Sequence, residues 1–337
     1  MILYKHHNIY VLTSTIIFMK SIKERVGFVV GEGYNERPIA AIEKIVAAEG
    51  DGIRQIWMNQ GHLDTLTIFA AAATKTSAVR LGTAIVQTYP RHPLALAQQV
   101  LVLNDIAPGR LRLGIGPSHS SIIEGIFGLS HKKPLVHLRE YVEVLRAVLW
   151  EGKVNHHGEF FNVVVTTPRN TARVPILVSA LGEKAFQLAG EIADGALSWL
   201  CPVPYLLNTG LPALRKGAAM AGRSASPPPP LVAHVLVALT TDRHLALAAG
   251  HQYIEKNNIS LPFYVNMFTK AGFPTTLGSA APDILVDNLV ISGNEDAVTV
   301  RFSELLASGL DELMVNLLPI KDTADEQFRL AHSIAEF

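Results

Sequence analysis

A single (β/α)8 barrel, the TIM-barrel class, is the fold this sequence predicts, and three observations predict it. Along its 337 residues, eight short apolar runs alternate strictly with eight helical periods. That is the pattern of parallel strands each followed by a returning helix. Hydrophobic residues make up 49% of the chain against 17% charged. This suits strands buried on both faces and excludes a disordered chain. The competing architecture, a doubly wound sheet, would carry a dinucleotide-binding turn. Neither Gly31-Glu32-Gly33 nor Gly114-Ile115-Gly116 completes G-x-G-x-x-G, because Glu36 and His119 stand where the third glycine belongs.

The elements follow in order. The stretch 9–18 is apolar between basic flanks, and is far shorter than the roughly 20 residues that span a bilayer. No small-residue cleavage pattern follows it, so residues 1–24 are expected to be an extension outside the domain, which runs from 25 to 337. Within the domain, strands are expected at 26–30, 53–58, 80–86, 111–115, 175–178, 195–198, 231–239 and 312–317. The matching helices are 38–49, 64–75, 93–106, 134–150, 183–192, 204–221, 296–307 and 323–335. Several helices open on proline or a capping aspartate, and several close on glycine, as at Gly50, Gly109 and Gly309. Two insertions interrupt the alternation. Residues 151–174, after strand four, read as a hairpin around Gly158 and Phe160-Phe161. Residues 240–294, after strand seven, carry helical patterns and a Pro/Gly/Ser-rich loop, and sit at the carboxyl end of the barrel where function resides.

Composition removes several functions. Lys+Arg 29 against Asp+Glu 29 leaves no electrostatic case for a nucleic-acid or membrane-surface partner. The lone cysteine, Cys201, cannot form an internal disulfide, which fits a cytoplasmic location. With no HExxH, CxxC or G-x-S-x-G, neither a metal centre nor a nucleophilic serine is expected.

Chemistry is therefore sought on the loops after the strands. Strand one delivers Gly31; strand two delivers Asn59, Gln60 and His62; strand four delivers Gly116, Pro117, Ser118 and His119. Strand five delivers Ser179, Ala180, Leu181 and Gly182 at the start of a helix. A hydroxyl, a bare backbone and free N–H groups at a helix start suit a phosphate. Two such loops on one rim point to a phosphate-bearing cofactor. His62 and His119 stand where an imidazole could polarise or protonate a substrate. Trp57 and Trp199 are placed either to floor a planar ring or to fill the core.

The wording of the chain adds to this. One stretch runs from Arg80 through Gly82-Thr83-Ala84-Ile85 to Tyr89-Pro90-Arg91-His92-Pro93. A second runs from Asn104-Asp105-Ile106-Ala107-Pro108-Gly109-Arg110 to Gly114-Ile115-Gly116-Pro117-Ser118-His119. Together they resemble the strand-three to strand-four signature of the bacterial luciferase-like superfamily, in the version found in members that use coenzyme F420. His157-Gly158-Glu159-Phe160-Phe161 and Ala193-Asp194-Gly195 are similar to further motifs of that family, in the same order. The resemblance covers residues 25–320 or so. It implies an oxidoreductase that binds coenzyme F420, or alternatively FMN, and acts on a small organic substrate. It further implies a non-prolyl cis peptide at Ala84-Ile85 behind the cofactor ring, phosphate contacts at Gly116 to Ser118 and Ser179 to Gly182, a lid in the second insertion, and a homodimer. Two departures matter. The acidic or histidine pair that follows strand two in the family is replaced by Asn59-Gln60-Gly61-His62, so the proton donor falls to Gln60, His62 or His119. Pro117 stands where an FMN-using luciferase would place arginine, which favours coenzyme F420. Arg91 or His92 is a candidate for the cofactor's charged tail. The alternatives are an FMN-dependent monooxygenase, which would need a flavin reductase as partner, and a non-catalytic flavin-binding barrel.

Overall fold

The computed structural model describes residues 21–30, 37–167, 171–223, 227–256 and 261–336, and the backbone of 9–12 and 15–18. The barrel strands are β1 (Val26–Val29), β2 (Gln55–Met58), β3 (Arg80–Thr83), β4 (Leu111–Gly116), β5 (Ile176–Ser179), β6 (Gly195–Leu197), β7 (Leu231–Ala238) and β8 (Glu312–Leu317). Each pairs in parallel with its neighbours in the chain. β8 returns to β1 through Leu313–Val26, Met314–Gly27 and Val315–Phe28, which closes the barrel. The helices are α1 (Pro38–Gly50), α2 (Thr65–Ala73), α3 (Pro93–Ile106), α4 (Pro134–Arg146), α5 (Glu183–Ile192) and α6 (Leu211–Met220). After β7 come α7 (Arg243–Lys256), α8 (Pro262–Lys270), α9 (Asp283–Leu289) and α10 (Glu295–Ala307), and α11 (Thr323–Glu336) ends the described chain. The strands Ile9–Leu12 and Thr15–Phe18 pair with each other as an antiparallel hairpin, in a sheet separate from the barrel.

The expected elements differ from the observed ones at four places. The single strand expected at 80–86 is two: β3 ends at Thr83, a cis peptide joins Ala84 to Ile85, and Val86–Gln87 pairs again with β4. Residues 134–150 form α4 and then a π-helical turn, Ala147–Glu151, that ends on Gly152 at φ 69. Residues 204–221 are broken by a second π-helical turn, Leu206–Gly210. Pro212 has no N–H to donate back to the preceding turn, and the widened turn absorbs the missing bond. The insertion after β7 also adds a short strand, Val290–Ser292, parallel to the end of β7.

The hairpin expected after strand four is present, as Lys153–His157 against Asn162–Thr166. It is pinned by the Glu140 carboxylate, which accepts the backbone N–H groups of Glu159, Phe160 and Phe161 at 2.9, 2.9 and 3.1 Å. Burial pushes that carboxyl up, but these donors outweigh it and hold Glu140 below the usual carboxylate range.

Inside the barrel, the amino-terminal half is filled. Trp57 is fully buried and packs with Leu177, Leu197, Val232 and Met314. Gly27 and Gly82 make room for it: a Cβ on Gly27 would come within 2.8 Å of the indole nitrogen, and one on Gly82 would overlap the ring. Beneath it, the Arg112 guanidinium lies 5.0 Å from the indole centroid, donates to Gln55 Oε1 at 2.8 Å and pairs with Glu312. Of the two readings of Trp57, core filling is the one realised.

Candidate active site

The carboxyl half is open. A cavity of about 430 Å³ lies above the Trp57 layer, and Leu197, Met314 and Ala84 belong both to that layer and to the cavity floor. Ala84 and Ile85 enter the wall through the break after β3. Pro117, Ser118 and His119 come from the loop after β4; Ser179, Ala180, Leu181 and Gly182 come from the loop after β5. Gln60 reaches in from β2.

These loops are held from behind. Thr83 Oγ1 donates to the Gly114 carbonyl at 2.7 Å, Thr65 Oγ1 to the Asn59 carbonyl at 2.9 Å, and the Tyr205 hydroxyl to the Leu181 carbonyl at 3.0 Å. Gly116 is not itself on the wall. It lets the loops after β4 and β5 meet, since a Cβ there would overlap Ser179 Oγ. Ser118 is held at φ 59, and Leu200, beside the wall residue Trp199, at φ 51. A left-handed backbone at a bulky non-glycine residue persists where surrounding structure fixes it, and such residues cluster at binding sites. Gly182 is the N-cap of α5, and nothing lies within 4 Å of where its Cβ would be. The two hydroxyls, the open Gly182 and the N–H groups at the start of α5 are donors suited to a phosphate.

The three donor candidates stand in different places. His62 is exposed on the loop after β2 and is not on the cavity wall. Gln60 Oε1 is buried at the wall without a hydrogen-bond partner among the described residues. His119 lies against α8, its ring 4.8 Å from Phe263 and 6.3 Å from Tyr264. Burial, reinforced by nearby His131, pushes the His119 imidazole below the ordinary histidine range, so it is neutral at pH 7. Gly31 lies outside the described residues. Arg91 and His92 are taken up elsewhere. Arg91 bonds Asp64 at 2.5 Å and Gln99 at 3.1 Å, and His92 Nδ1 caps α3 by accepting the Leu94 N–H at 3.2 Å.

The structure adds wall residues that position alone did not reveal: Phe263 and Tyr264 from the insertion, and His131 from the loop before α4. His131 Nε2 is buried without a hydrogen-bond partner among the described residues. An aromatic pair directly after Pro262, in an insertion at the carboxyl end, was the available signal for the first two. Trp199, the other tryptophan in question, is a wall residue stacked on His234 at 3.9 Å and 15°. His234 Nδ1 accepts the Leu200 N–H at 3.3 Å, and burial lowers its pKa to about 3. Cys201 is buried and its thiol pushed up to about 12, which leaves it protonated and unreactive. Among the described residues no cluster of His, Cys, Asp and Glu could hold a metal ion, and no helix is long and apolar enough to cross a membrane.

The family described as luciferase-like monooxygenase matches residues 25–312. A protein of Mycobacterium tuberculosis, provisionally named a coenzyme F420-dependent oxidoreductase, is 29% identical over 86% of this chain and 94% of its own. The coenzyme F420 dependent tetrahydromethanopterin reductase of Methanopyrus kandleri superposes with a TM-score of 0.77 at 22% identity, over 94% of this chain and 99% of its own. The oxygenating constituent of 3,6-diketocamphane monooxygenase from Pseudomonas putida, in complex with FMN, superposes at 0.70 with 18% identity, over 93% and 97%.

Proposed function

This chain belongs to the luciferase-like monooxygenase family, and on that premise we propose that it is a coenzyme F420-dependent oxidoreductase moving a hydride between the deazaflavin and a small organic substrate. The observation that carries this reading is the meeting on one cavity of the Pro117–Ser118 and Ser179–Gly182 loops with Ala84 and Ile85, and with no Lys or Arg among the described wall residues. Pro117 offers neither charge nor N–H where the FMN-using pattern has arginine. When bound, the deazaflavin supplies a ring carbon that gives or takes a hydride.

The chain's own residues do the rest. Ser118 and Ser179 hydroxyls and the N–H groups opening α5 hold the phosphate. Ala84 and Ile85 set one face of the ring site. Trp199, Phe263 and Tyr264 exclude water from it. Gln60 Oε1 orients a substrate hydroxyl by accepting its O–H in the bound state, and neutral His119 takes that same proton as the hydride leaves or returns it in the reverse direction. The insertion carrying Phe263 serves as the lid, and a cytoplasmic homodimer goes with this reading.

An FMN-dependent monooxygenase with a separate flavin reductase is the second reading, favoured by the likeness to an FMN-bound structure. Oxygenation of an organic substrate, measured above the protein-free autoxidation of reduced FMN, separates the two. Anaerobic reduction of coenzyme F420 by an alcohol panel, with no oxygenated product when reduced FMN and oxygen are supplied, is the expected result. An oxygenated product with reduced FMN and no reaction with coenzyme F420 would overturn it.

A further inference from the structure

Resting on the oxidoreductase reading, we infer that the substrate side of the cavity selects an uncharged, largely apolar molecule whose polar group is a single carbonyl or hydroxyl. The wall contains no Lys, Arg, Asp or Glu among the described residues. The groups the barrel brings to the side formed by β6, β8 and the lid are Trp199, Leu197, Met314, Phe263 and Tyr264, with Ser198, whose hydroxyl oxygen accepts the His234 N–H at 3.3 Å. Apart from Ser198, these present hydrocarbon or aromatic surface. The donors suited to an anion, Ser118, Ser179 and Gly182, sit instead on the adjacent β4 and β5 loops, and the cofactor phosphate takes them. A carboxylate or ammonium group on the substrate would enter the aromatic side without a counter-charge, and an unpaired buried charge is strongly unfavourable.

His119 and Tyr264 do not offer one. Burial keeps His119 neutral at pH 7 and raises the Tyr264 phenol, so it too is uncharged. What the wall does offer is one buried acceptor, Gln60 Oε1, and one buried imidazole nitrogen, His131 Nε2, both without partners among the described residues. The amide oxygen receives a substrate O–H, and an imidazole N–H meets a substrate C=O. A molecule with one such oxygen on an apolar body satisfies them; leaving them unmatched costs affinity.

The test uses the full chain and three probes of similar size: 2-octanol, 2-octanone and 7-oxooctanoate. Binding is measured by calorimetry at about pH 8, above the ordinary histidine range, with and without saturating coenzyme F420. The expected result is that the two neutral probes bind at least about tenfold more tightly than the carboxylate. A second variant keeps the result interpretable. Phe263→Lys places a cation on a wall position that is 36% exposed, so the fold should tolerate it, and it should narrow or invert the preference. Equal or tighter carboxylate binding to the wild-type protein, or no neutral binding to protein that does bind coenzyme F420, would overturn the inference. Failure to bind coenzyme F420 with the neutral preference intact would overturn the cofactor reading and leave the selectivity standing.

Discussion

The two halves of the barrel are built from the same eight strands and solve opposite problems. At the amino-terminal end Gln55, Arg112 and Glu312 are buried and bonded to one another beneath Trp57, and glycines clear space for the indole. At the carboxyl end the side chains withdraw, the backbone turns left-handed at Ser118 and Leu200, and Gln60 Oε1 and His131 Nε2 are buried without partners among the described residues. Packing that fills space stabilises the fold. Polar groups kept unmatched within a cavity weaken the apo protein and await a ligand. Close packing and the open cavity are thus divided along the barrel axis rather than spread through it.

That division can be broken by perturbing one end and reading the other. The largest effect is expected from Glu312→Leu, which leaves the Arg112 guanidinium buried without its counter-charge. Urea unfolding should show a loss of about 3–5 kcal/mol, while affinity for coenzyme F420 stays within about threefold. A comparable loss of cofactor affinity would mean that the halves are coupled.

Acid should act on the upper half. Burial lowers His137 to about 4, against an opposing pull from Glu140, and lowers His234 to about 3. Between those values and the ordinary histidine pKa the unfolded chain binds more protons than the folded one. Stability is therefore full above about pH 6.5 and falls as the pH drops toward 4 and then 3. A loss on the order of 1–2 kcal/mol from each group is expected by about pH 5, and His234→Phe should flatten part of that slope in urea melts at pH 7 and 5. A variant as acid-sensitive as the parent would remove His234 from the account.

A smaller effect is expected from Ser179→Ala. Losing one phosphate donor should weaken coenzyme F420 about five- to tenfold, with stability within about 0.5 kcal/mol. The smallest belongs to His62→Ala. An exposed loop residue off the cavity wall should leave cofactor affinity and turnover within about twofold. A large drop in turnover would restore the histidine as a candidate donor.

Much of this was legible in the sequence, and what was not has identifiable causes. Strands buried on both faces read as unbroken apolar runs, so all eight were visible, and 312–317 matched Glu312–Leu317 in full. The apolar run continues through Ala84-Ile85, because apolarity does not report a change of backbone course; the cis peptide there was implied by the family resemblance alone, and it is present. The π-helical turns were hidden for the same reason, although Pro212 marked one of them. At the site, the glycine and serine loops were readable because a phosphate needs local backbone features that fall within four residues. The wall built by His131, Phe263 and Tyr264 was not, because it forms only when the insertion folds back over the loop after β4, as the His119–Phe263 contact shows. Gln60 and His62 lie two residues apart, and only the turn of the loop decides which faces inward.

The most direct test of the central claim is a fluorescence titration of the purified protein with coenzyme F420 and, separately, with FMN. Saturable binding of coenzyme F420 at micromolar concentration or below, with FMN bound at least about a hundredfold more weakly, is the predicted result. Preference for FMN would contradict the reading of Pro117 and Ser118 and move the chemistry to oxygen; binding of neither would contradict the assignment of this cavity to a deazaflavin or a flavin.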